Sequence, residues 1–307
     1  MSPFKGIALK VCSVMLFVVM SALIKAASDT VPPGEAVFFR SFFAIPVILT
    51  WLALRGDLRT GLKVKSPMGH FWRGVVGTTA MGLMFAGLGL LPLPEVTALG
   101  YTAPLLTVVF AAMFLDERVG LFRIGAVALG MIGVLIVLSP RLSTLSGPMV
   151  ETAQAVGAVL VLLGAVCAAL AQIYIRKLVA TEETSAIVFY FSLTSTLLSL
   201  LTIPFGWAIP GGTETVYLIL AGVLGGTAQI FLTSAYRFSD ASVVAPFDYA
   251  SMLFALVIGY VIFDEVPTGP MLIGAGLVIL AGIIIILREH HLGLKRGKAR
   301  ALRTPQG

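Results

Sequence analysis

Asp248 is the residue whose type and position most demand a chemical reason. It stands in Ala245-Pro246-Phe247-Asp248-Tyr249, inside a long apolar stretch. A carboxylate carried to the middle of a bilayer costs roughly 2.5–3.5 kcal/mol on insertion scales, so it needs a counter-charge, a proton or water. Pro246 has no amide hydrogen and leaves the Ser242 carbonyl, one turn earlier, without its helical donor. Two chemistries fit. Asp248 is a site for a proton or a cationic substrate group, or it is half of a buried ion pair with Arg40 or Arg237. Arg40 is the deepest of three charged residues near one turn, with Lys25 and Glu35 beside it. It is placed either to bind an anionic substrate group or to pair with Asp248, whereas Lys25 is placed to snorkel toward the interface.

A second set of residues shares a helical face. Gly222, Gly225, Gln229, Thr233 and Tyr236 recur every three or four positions and make a polar stripe in an apolar helix. The stripe reads as a cavity wall or as interhelical hydrogen bonding. The corresponding face earlier in the chain, Gly74, Gly77, Met81 and Phe85, is apolar. Tyr101 and Tyr249 each lie close to a proline, Pro104 and Pro246, and Gln172 and Tyr190 are weaker candidates for a cavity lining. His70, His290 and His291 fall at helix ends, and Cys12 and Cys167 lie apart in apolar runs. The spacing of these residues suggests no metal, cofactor or catalytic constellation.

The elements that must hold these groups are membrane helices. Apolar residues make up 58% of the chain and charged residues 12%, against about 25% charged in soluble proteins. Ten segments are long and apolar enough to cross a bilayer: 6–26, 35–54, 70–90, 95–115, 121–139, 153–175, 185–204, 215–236, 241–263 and 270–288. With the N-terminus inside, 18 of the 21 Lys and Arg residues fall on the inner side; Arg141 falls outside, and Lys25 and Arg40 fall within or at the edge of the membrane. That is the asymmetry of the positive-inside rule, and it places both termini in the cytoplasm of a bacterial inner-membrane protein. The net charge of +6 is therefore explained by topology and lipid, not by nucleic acid. A cleaved signal peptide is the weaker reading of the first segment, because Lys25 interrupts the cleavage region. Residues 289–307 read as a basic tail facing anionic lipid.

The chain also repeats itself. Shifted by 148 residues, Gly74–Ala80 falls on Gly222–Ala228 with five of seven positions identical, Tyr101 falls on Tyr249, and Asp116-Glu117 falls on Asp264-Glu265. One further residue of offset matches Ile124-Gly125-Ala126 to Ile273-Gly274-Ala275 and Gly133 to Gly282. The expected architecture is all-α, with ten transmembrane helices in two five-helix repeats over 1–140 and 152–288. An odd number of helices per repeat inverts the second half relative to the first. Interrupted helices at corresponding places in such halves point to a transport site near the midplane.

The chain resembles the EamA family of the drug/metabolite transporter superfamily. The resemblance rests on Glu35 to Arg40 at the start of the second helix, on Gly74 and Gly222 read as helix starts, and on Phe114-Leu115-Asp116-Glu117 and Phe263-Asp264-Glu265, each followed by a glycine-bearing apolar helix. It implies a carrier for a small organic metabolite, an amino acid or related solute, with helices one, three, four, six, eight and nine lining the path. It implies no cofactor and leaves a homodimer open. The Pro246–Tyr249 stretch is also similar to uptake carriers for S-adenosylmethionine or a vitamin such as riboflavin. An integral-membrane enzyme is the rival of another class and would need a convergent catalytic constellation.

Overall fold

The computed structural model describes residues 3–58, 60–114, 121–142, 149–179, 181–238 and 245–303. The described secondary structure is helical: α1 (Pro3–Ala27), α2 (Pro33–Phe42), α3 (Ala44–Leu54), α4 (Pro67–Leu90), α5 (Leu93–Gly100), α6 (Thr102–Phe114), α7 (Leu121–Leu142), α8 (Met149–Val179), α9 (Thr184–Ser199), α10 (Gly212–Phe238), α11 (Ala250–Phe263) and α12 (Gly269–Arg303). Short 3-10 turns extend α9 over Leu200–Phe205 and precede α11 over Ala245–Tyr249. Seven of these segments are long and apolar enough to span a bilayer, and three shorter apolar stretches, Ile124–Pro140, Phe247–Phe263 and Gly269–Ile285, bring the set to ten. The chain is a multi-pass membrane protein.

Prolines account for most of the segmentation. At helix starts, Pro33, Pro67 and Pro94 occupy the first or second helical position, where a missing amide hydrogen costs nothing. Inside spans they break the ladder four residues upstream. Pro46 removes the donor for Phe42, the last residue of α2; Pro104 does the same for Gly100, the last of α5; Pro204 does so for Leu200, where α9 tightens into a 3-10 turn. Pro140 frees the Ile136 carbonyl, and Ser139 Oγ donates to it at 3.0 Å. In hydrocarbon such a side-chain donor stands in for absent water.

Two differences from the sequence reading follow. Gly74 and Gly222 lie well inside α4 and α10, whose starts are set by Pro67 and by the Gly211-Gly212 turn. The last helix does not stop at Arg288. It continues to Arg303, so the basic segment is a helical extension rather than a plain tail.

Packing follows a regular plan. α1 lies along α10 and α8 along α4; α10 crosses α2 and α4 crosses α9; α1 meets α11 and α8 meets α6; α7 lies against α12. Small residues let these backbones approach. Gly133 and Gly274 are in mutual contact, each against the other's carbonyl, so a methyl group on either would collide with backbone. Polar pins are few and local: Ser13 Oγ donates to Ala228 O at 2.7 Å between α1 and α10, and Thr78 Oγ1 and Ser195 Oγ bond at 2.8 Å between α4 and α9.

Candidate functional site

Asp248 closes the 3-10 turn before α11, and its partner is Lys10 of α1, with Nζ 2.6 Å from Oδ1. This corrects the pairing with Arg40 or Arg237 expected from the sequence. Lys10 lies six residues after Phe4, near the start of α1, and reads as an end-of-helix cation in sequence, but α1 packs closely along its neighbours and buries it. The pair is lopsided: the Lys10 side chain is 2% exposed and that of Asp248 is 47% exposed. The carboxylate is therefore paired with lysine without being enclosed as its partner is.

Tyr101 and Tyr249 meet edge-to-face, ring centroids 5.0 Å apart. Tyr101 Oη bonds Ser251 Oγ and also reaches the Tyr249 carbonyl, while Ser251 Oγ reaches the Asp248 carbonyl at 2.7 Å. The Tyr249 hydroxyl lies in the space a side chain at position 282 would fill, so Gly282 is required there. Tyr101 sits at the α5–α6 break and Tyr249 at the turn into α11. The two interruptions anticipated at corresponding positions are thus brought into direct contact.

Arg40 is buried, 5% exposed, and among the described residues it has no carboxylate partner. Its Nε lacks a hydrogen-bond acceptor, and its guanidinium lies 5.7 Å from the centroid of the Phe191 ring. Arg73 of α4 approaches the same ring to 3.6 Å, is 7% exposed, and has Nε and Nη1 buried without acceptors. Sequence reasoning missed Arg73 by counting it among inner-side cations. The signal available was its spacing: it lies four residues before Gly77, on the face already singled out. Arg40 and Phe191 belong to the second and seventh segments, outside the set the resemblance implied as lining the path.

The other expected site residues are dispersed. Met81 packs on the main core and Phe85 is buried in it, beside an apolar cleft shared with Ile24, Val31 and Ala36. Gly222 packs on Phe39 and Phe43, and Gln229 lines a narrow crevice with Ile48 and Trp51, so the stripe on α10 serves mainly as a contact with α2 and α3. Gln172 is exposed on α8 between buried Ala171 and Ile173. The side chains of Thr233 and Tyr236 lie outside the described residues, as do Arg237's side chain and Asp116-Glu117. Tyr190 donates to the Leu62 carbonyl at 3.2 Å and braces an end loop.

Each end of the bundle has its own polar clasp. Lys25 does not snorkel: its Nζ is 3.0 Å from Glu265 Oε1 and donates to the Leu88 and Leu91 carbonyls at the end of α4, where a cation also suits the helix dipole. Glu265 in turn accepts the Leu93 amide at 2.8 Å. Glu35 accepts the Ala208 amide at 3.1 Å rather than pairing with Arg40. At the other end Glu182 accepts the amides of Lys65 and Ser66 at 2.8 and 2.6 Å and lies 3.7 Å from His70 Nε2. Burial works to raise the Glu182 pKa, but the two amides and His70 outweigh it and hold the carboxyl below its ordinary range.

The EamA-like transporter family matches this chain twice, over residues 4–139 and 155–288. The chain belongs to the EamA-like transporter family. The pseudopaline exporter of Pseudomonas aeruginosa is 33% identical over 284 residues, covering 91% of this chain and 95% of the exporter. The S-adenosylmethionine uptake transporter of Rickettsia felis is 28% identical over 83% of each chain. The riboflavin transporter of Rhizobium johnstonii is 30% identical over 84% of this chain and 82% of its own. A crystal structure 20% identical superposes with a TM-score of 0.65 over 92% of this chain and 97% of its own, and shares the fold. Both EamA segments contribute to the interior. The first supplies Lys10, Arg40, Arg73 and Tyr101, and the second supplies Phe191, Asp248 and Tyr249.

Proposed function

We propose that this protein is a secondary carrier that moves a small organic metabolite, an amino acid or a related solute, across the bacterial inner membrane by alternating access between its two halves. The observation that carries the reading is the meeting of Tyr101 and Tyr249, repeat-related residues at two helix interruptions, next to the half-open carboxylate of Asp248. Unwound backbone inside a bundle is tolerated where it is buried in protein or lines a cavity, and interruptions at matching places in two repeats are the usual mark of a carrier site.

The packing plan supports inverted halves. Under the offset of the repeat α1 corresponds to α8 and α4 to α10, so the α1–α10 and α8–α4 contacts are images of each other, and α7–α12 is its own image. Five spans per half then turn the second half over, with both termini on the cytoplasmic side. The named relatives include an exporter, an uptake transporter and a riboflavin transporter, so flux in both directions bears on the question. The test is transport in reconstituted vesicles with a panel of radiolabelled amino acids, S-adenosylmethionine, riboflavin and amino-acid-derived carboxylates. Saturable flux of at least one solute above protein-free vesicles is expected; equal flux with and without protein across the whole panel sinks the carrier reading.

A further inference from the structure

We propose that Arg40 and Arg73, which both approach the Phe191 ring, form the seat for a carboxylate of the transported solute. The proposal rests on the carrier reading and adds the chemical class of its substrate. Both guanidiniums are more than nine-tenths buried, and both leave nitrogen donors without acceptors. Among the described residues neither forms an ion pair: Glu35, five residues before Arg40, accepts the Ala208 amide, and Glu182 accepts the Lys65 and Ser66 amides and lies 3.7 Å from His70. Burying a cation without an opposite charge is strongly unfavourable, and two like charges on one ring compound the cost. The Phe191 face offsets part of it through cation–π attraction, closest for Arg73 at 3.6 Å. An aromatic ring neutralises no charge and accepts no conventional hydrogen bond, so the donors still lack what they are shaped to meet. A carboxylate supplies the missing charge, and guanidinium donors hold it in fixed geometry.

The backbone is built around this seat. Gly77 stands behind Arg73 and Phe191: a Cβ there would come within 2.9 Å of the ring and nearer still to Arg73 Nη1. Gly225, the residue matching Gly77 in the second half, stands behind Arg40, where a Cβ would meet Arg40 Nε at 3.2 Å and Met20 Sδ at 2.8 Å. The repeat-related glycines therefore make room for one arginine each. Arg40 and Arg73 both come from the first half and Phe191, the ring they share, from the second, so a movement of the halves would change the surroundings of an anion held by the two arginines.

Thermal unfolding of the purified protein in detergent tests the seat without measuring transport. The probes are succinate, its neutral analogue succinamide, and inorganic phosphate, all at matched ionic strength. Succinate should raise the unfolding temperature of the wild-type protein by a clear margin and succinamide should not. Arg73→Met and Arg40→Met should leave the ligand-free unfolding temperature unchanged or higher, because each removes an unpaired buried charge, and should weaken succinate by about tenfold or more. Arg73→Lys, which keeps the charge and is the safeguard should the methionine variants fail to fold, should retain part of the succinate effect. A wild-type protein indifferent to succinate overturns the proposal. So does an equal succinate effect in the Arg40→Met/Arg73→Met double variant, or a fall in ligand-free stability in both single variants, which would make the arginines structural. Stabilisation by phosphate and not by succinate would assign the seat to a lipid headgroup. Succinate binding with no vesicle flux of any solute would sink the carrier reading alone; flux with no carboxylate effect would sink the seat alone.

Discussion

Lys10 and Asp248 divide the burden of one ion pair unequally, and the inequality decides what each substitution does. Removing the carboxylate takes the paired charge from a lysine that is 2% exposed, whereas removing the lysine leaves a carboxylate that is 47% exposed. Stranding one member of a fully buried pair costs about 3–5 kcal/mol; because asparagine keeps an oxygen acceptor for the ammonium, Asp248→Asn should cost about 1–3 kcal/mol, lowering the unfolding temperature in detergent, and Lys10→Met should cost less. The double variant should recover much of the lost stability while transport stays impaired in all three. Wild-type transport in Asp248→Asn would remove the residue from the site. Asp248 was legible in the sequence because a lone acid in an apolar run is conspicuous. Its partner was not, because Lys10 sits where an interfacial cation is ordinary, and only the packing of α1 against the α11 region shows that it is buried. Arg73 was hidden for the same reason, and Lys25 was misplaced because its Glu265 partner lies in the other half of the sequence.

Two helix interruptions were visible from a proline inside a span, since the lost donor fixes the carbonyl four residues upstream, although Pro140 stands inside α7 without ending it. Pro104 and Pro246 gave the breaks beside Tyr101 and Tyr249, and Pro46 gives one between α2 and α3 by the same rule. The start of α4, marked locally by Pro67, is also braced by a contact that no local pattern reveals. Glu182, from the turn before α9, accepts the Lys65 and Ser66 amides, and its lowered pKa makes the contact a pH-dependent one. A carboxyl whose folded pKa is depressed contributes stability that is present above its unfolded pKa, about 4.3, and is lost as pH falls through the folded value. Glu182→Gln should therefore lower the unfolding temperature at pH 7, and the gap to wild type should close as the pH falls below about 4. A gap of the same size at low pH would mean that the side chain acts by shape alone.

At the scale of the whole molecule, the count of ten segments and the two-fold repetition were readable because hydropathy and a constant offset survive in the sequence. How the halves interleave was not, since the α1–α10 and α8–α4 pairings join residues far apart in the chain and depend on small-residue contacts such as Gly133 with Gly274. The interior that results is assembled from both halves, with the tyrosine pair and the Lys10–Asp248 pair crossing between them. Under the proposed alternating access the site would face one side at a time, so a solute leaving in one direction would speed the return of the binding state that loads the next. Counterflow in reconstituted vesicles measures this directly: vesicles are preloaded with an unlabelled transported solute and the entry of trace label is followed. The predicted result is saturable entry that preloading accelerates and that Asp248→Asn slows. Entry that rises linearly with concentration and is indifferent to preloading would contradict alternating access between the two halves.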